Sequence, residues 1–71
     1  MKTLTVVKIG NTVPAEGPFQ ISLNPGHITA IVEGIPHNGD PCTVIWLTGQ
    51  SIAITVVGEF ADIDQDWMDA L

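Results

Sequence analysis

Seven glycines and five prolines divide this 71-residue chain into short apolar runs. Breakers at that density give an all-β pattern of short strands with turns at short intervals. Residues 3–9, "TLTVVKI", are rich in β-branched side chains and contain no breaker, so they read as a first strand. "GNTVPAEGP" follows as a loop. In "FQISL" the alternation is strict: Phe19, Ile21 and Leu23 point one way, Gln20 and Ser22 the other. Pro25-Gly26 stands in the order that a type II turn favours. The strand "HITAIVE" then places Ile28, Ala30 and Val32 on one face and Ile31 on the other.

The loop "GIPHNGDP" contains Asn38-Gly39, a pair that takes up positive φ at little cost. Beyond it, "CTVIWLTGQSIAITVV" reads as two strands around a two-residue turn at Gly49-Gln50. That register pairs Leu47 with Ile52, Ile45 with Ile54 and Thr43 with Val56, all on one face. The opposite face carries Val44, Trp46, Ala53, Val57 and, by alternation, Ile31. A two-layer domain leaves such a face polar. Here it is apolar, which allows two expectations. Either the first strands fold over it to make a small barrel or sandwich, or it is a subunit interface centred on Trp46, a residue type enriched at interface anchors.

The tail "EFADIDQDWMDAL" holds five of the eight acids. Three alternate aspartates suggest an EF-hand loop, but the sixth position from Asp62 is Trp67 where that loop needs glycine. A helix fits better. Asp62 is a suitable N-cap, with Gln65 three residues on as in a capping box. Ile63, Trp67, Ala70 and Leu71 then form an apolar stripe with Met68 at its margin, while Asp62, Asp66 and Asp69 face outward. So short a helix is stable only when docked.

Chain length implies one domain, residues 1–71, burying about 60% of its unfolded surface. With one cysteine, Cys42, no internal disulfide forms, and oligomerisation is the remaining way to add stability. The formal charge is −6, with two lysines and no arginine. Nucleic-acid binding requires cations to neutralise phosphates, so it is not expected; an anionic membrane surface is disfavoured for the same reason. A basic protein partner is compatible with this charge. No apolar segment reaches the length of a membrane span, and the N-terminus reads as a strand and not a signal peptide. Together with the single thiol, this points to the cytoplasm.

Chemistry-bearing residues are few. His37, Asp40 and Cys42 are metal ligands by type, but their spacing matches no standard zinc pattern and a fourth ligand is lacking. A Cys42–His37 nucleophile pair would need a cleft that so small a domain scarcely provides. No glycine-rich phosphate cradle is present, and His27 sits at a strand edge. No cofactor, metal or catalytic residue is expected.

Residues 24–63 carry Asn24, Ile28, Ile31 and Glu33, then "TVIWLTG", "SIAITV" and "GEFADI". This order resembles the small FlbD-like proteins associated with flagellar gene clusters and related short β-proteins of unknown role. The resemblance implies a β-hairpin followed by a short acidic helix, and no catalytic residues. The resulting expectation is a mainly β fold, a five-stranded antiparallel barrel or sandwich with one C-terminal helix. The expected function is a non-enzymatic, self-associating module that presents Trp46, Val44 and Ile31 to a second copy. The alternative is an acidic inhibitor encoded by a phage or mobile element. It would use Asp62, Asp66 and Asp69 against a basic host protein, or sequester a small signalling molecule between subunits.

Overall fold

The computed structural model describes residues 3–70. Five strands, β1 (Leu4–Ile9), β2 (Phe19–Ile21), β3 (Ile28–Glu33), β4 (Cys42–Leu47) and β5 (Ile54–Val57), precede one helix, α1 (Phe60–Ala70). The strands form a single antiparallel sheet in the order β2-β1-β5-β4-β3. The fold is therefore mainly β with a C-terminal helix, but the expected closure is not formed. β1 adds to β5 within the sheet instead of stacking across it, so among the described residues β2 and β3 are open edges.

One face of the sheet carries the core. Leu4, Val6, Ile28, Ile45, Ile54 and Val56 are buried together with Ile63 of α1, and Ile21, Leu23, Ile31, Leu47 and Trp67 pack around them. Thr43 is the buried polar residue on this face, and its hydroxyl donates to the Gly58 carbonyl at 3.0 Å. That bond satisfies a group that would otherwise oppose burial.

Two local features move residues from their expected faces. The β3–β4 register shifts between Ile28 and Ala30, so Ile28 lies opposite Leu47, Ala30 opposite Trp46 and Ile31 opposite Ile45. An extra residue in a strand breaks the two-residue alternation. Ile28 and Ile31 thereby both face the core, and only Ala30 and Val32 share the face of Trp46. The assignment of Ile31 to the second face is corrected accordingly. A second bulge, between Val6 and Lys8 of β1, lets Val6 and Val7 both be buried.

The turns also differ in detail. Pro25–His27 is a 3-10 turn whose cap, Asn24, accepts from Gly26 N–H at 3.0 Å; the type II turn is not formed. Asn38 and Gly39 have φ of 51° and 84° and close a tight turn in which His37 and Asp40 exchange backbone bonds of 2.9 and 3.0 Å. Between β4 and β5 the pairs Ile45–Ile54 and Thr43–Val56 form as the sequence implies. The turn itself is one residue earlier, with Gln50 N–H on Leu47 C=O at 3.1 Å, and the chain then runs outside the ladder to residue 54. Thr48 is tied to the neighbouring strand end instead, its N–H on His27 C=O at 2.7 Å and its hydroxyl 3.0 Å from that of Thr29. The Leu47–Ile52 pair is thus absent from the ladder.

Helix α1 begins at Phe60, two residues before the expected cap Asp62. Ile63 N–H donates to Glu59 C=O at 3.1 Å, so Asp62 lies in the first turn, where its charge favours the positive helix end. Gln65 is not part of a capping box; its amide donates to Asp69 Oδ1 at 2.9 Å. Ile63 is buried and Trp67 half-buried, as the stripe requires, whereas Ala70 and Met68 are exposed. Leu71, also assigned to the stripe, lies outside the described residues. The indole N–H of Trp67 donates to Pro25 C=O at 2.9 Å, tying the helix to the 3-10 turn. Trp67→Phe keeps most of the packing and loses this bond. It should cost about 1 kcal/mol, seen as a urea midpoint lower by roughly 0.5–1 M. An unchanged midpoint would show that the bond adds no stability.

Candidate functional site: a groove on the helix-free face

Helix α1 covers one face of the sheet. The other face is a groove of ≈ 660 Å³. Its floor is Val44 and Trp46 on β4 and Thr55 on β5, placed by alternation, with Val7 on β1, placed by the bulge. The loop after β1 forms one wall. Ile9 and Thr12 exchange backbone bonds of 2.9 and 3.0 Å, and Gly10 N–H donates to Ala53 C=O at 2.8 Å. Gly10 has φ of 60°, and a Cβ there would lie 3.0 Å from Ile52 Cγ2, so this junction is held close by glycine. Residues 34–37 form the opposite wall.

The face is apolar and open. Trp46 is 41% exposed, Val32 48%, Ile52 51% and Ile35 84%. Isolated apolar residues on a surface are ordinary, but a contiguous rimmed set is the usual signature of a contact site. Lys8, Asn11 and Ser51 place polar groups around the apolar floor.

Of the residues singled out from sequence, Val44 and Trp46 meet on this face, while Ile31 does not. Asp62 and Asp69 are exposed on α1 and Asp66 is half-buried beside them. They lie across the sheet from Trp46, so the acid stripe and the groove are separate surfaces. The contributions of Val7, Ile35 and Ile52 were not legible. Val7 depends on the bulge, and the two isoleucines belong to loops whose direction is set by Gly10 and by the Asn38-Gly39 turn.

His37 lies on the groove wall, its backbone engaged by Asp40. Cys42 is buried, with its thiol directed at Asp40 C=O at 3.6 Å. Among the described residues, no three His, Cys, Asp or Glu side chains gather as a metal site would require, and no helix is long and apolar enough to cross a membrane. Comparison with known proteins finds no matching family model, no significantly similar curated protein and no significantly similar solved structure.

Proposed function

We propose that this chain is a non-enzymatic binding or assembly module of the cytoplasm that self-associates through the helix-free face of its sheet, with Trp46 as the anchor. The observation that carries this reading is the asymmetry of the sheet. One apolar face is sealed by α1, and the other, with Trp46 41% exposed at its centre, has no covering layer among the described residues. Burying a tryptophan and its aliphatic neighbours against a second copy removes apolar surface from water, at roughly 25 cal/mol per Å² before the costs of association.

Light scattering between about 1 and 100 μM tests it. The wild-type protein should show a mass above the 7.6 kDa of one chain. Trp46→Ala should weaken association at least thirtyfold, as expected for an anchor worth about 2 kcal/mol. A 7.6 kDa species throughout the range would overturn the proposal.

A second reading draws on the exposed Asp62 and Asp69, which suit contact with a basic protein. It separates from the first because Trp46→Ala would leave such a contact intact, whereas Asp→Asn changes on α1 would remove it.

A further inference from the structure

We propose that the second copy docks edge to edge, its β3 pairing antiparallel with this β3 so that two five-stranded sheets continue as one. The proposal rests on the self-association reading and names the element that joins the copies.

Among the described residues the sheet has two free edges, and they are not alike. β2 is three residues long and is preceded by Pro18. β3 is six residues long and contains no lysine and no proline, the residues that most often protect an edge. Its backbone also offers a regular set of free groups. Gly34 N–H donates to Cys42 C=O at 3.0 Å, which makes Gly34–Cys42 a hydrogen-bonded pair. Antiparallel pairs alternate between bonded and non-bonded, so Val32–Val44 and Ala30–Trp46 are bonded pairs as well. The N–H and C=O groups of Ile31 and Glu33 therefore point away from β4, toward the open edge.

Those directions limit how two β3 strands can pair. Residues that offer outward groups must face one another. A register that these directions permit puts the two-fold axis at Ile31, with Ile31 opposite its counterpart and Ala30 opposite Val32. The one charged residue of the strand, Glu33, then falls at either end of the paired segment, clear of its counterpart. Val32, 48% exposed in the single chain, meets Ala30 on the same face as Trp46, so the apolar faces of the two copies become continuous.

The test is cross-linking across the axis. Ala30 and Val32 of opposite copies form a non-bonded pair with Cα atoms about 4.5 Å apart, within disulfide range. Ala30→Cys/Val32→Cys should give a covalent dimer under mild oxidation, while either single change should give less than about a tenth as much. The native Cys42 is buried and does not compete. Efficient cross-linking of Val32→Cys alone would overturn the Ile31-centred register. As a second probe, Glu33→Pro removes an outward N–H without taking one from the internal ladder, and it should weaken association at least tenfold. A wild-type dimer that neither cross-links nor responds to Glu33→Pro would overturn edge pairing and leave self-association through the Trp46 face standing. A wild-type monomer would overturn both.

Discussion

Ile45→Ala should remove about 3–4 kcal/mol of stability, the largest effect of any single truncation in the domain. Ile45 has no solvent exposure and lies between Ile31 on β3 and Ile54 on β5, under Ile63 of α1. Truncation loses the transfer energy of three carbons and leaves a cavity that neighbours on rigid strands cannot fill. A domain of this size holds roughly 4–10 kcal/mol in all. The variant should therefore unfold at a urea concentration lower by about a third or more, down to being partly unfolded without urea. Ile45→Val removes one methyl and should cost only about 1 kcal/mol. If Ile45→Ala lost no more than Ile45→Val, Ile45 would not occupy the centre of the core.

Gly58→Ala ranks second, at about 2–3 kcal/mol. Two separate costs meet at this residue. Gly58 has φ of 140°, a conformation that side chains rarely adopt. A Cβ there would also lie 2.8 Å from Ile63 Cδ1 and 3.3 Å from Cγ1. Relaxation is costly because the segment is fixed from both sides: Gly58 N–H donates to Pro41 C=O at 2.8 Å, and its carbonyl accepts from Thr43. The two costs can be divided. Ile63→Val deletes Cδ1 and keeps Cγ1, so in the Gly58→Ala/Ile63→Val double variant the steric part should shrink to the 3.3 Å contact and the backbone part should persist. Additive losses in that cycle would mean that contact with Ile63 contributes nothing.

These two residues also show where a sequence reading succeeds and where it stops. The partners of Ile45 follow from strand alternation on either side of Gly49, because the register is set by which side chains must be buried. The loop could move by one residue without disturbing the pairs. The start of α1 follows from a tertiary fact, the bond from Thr43 to the Gly58 carbonyl, and no propensity at residues 59–62 contains it. Asp62 has the chemistry of a cap, but the chain had already turned at Gly58. The groove was half legible for a similar reason. Val44 and Trp46 follow from period two, whereas Ile31 and Val7 depend on bulges, which shift the period without leaving a mark in composition. The open sheet was illegible because an apolar second face is equally compatible with a covering layer of the same chain and with one supplied from outside.

The two tryptophans stand on opposite sides of the sheet, one held by a hydrogen bond to Pro25 and one partly open to solvent. The molecule thus contains an optical reporter for each side. Emission from Trp67 follows docking of the helix and hence folding. Emission from Trp46, reached by a soluble quencher such as acrylamide, follows whatever covers the groove. In the Trp67→Phe background, quenching as a function of concentration becomes a direct readout of contact at one face, without any added label.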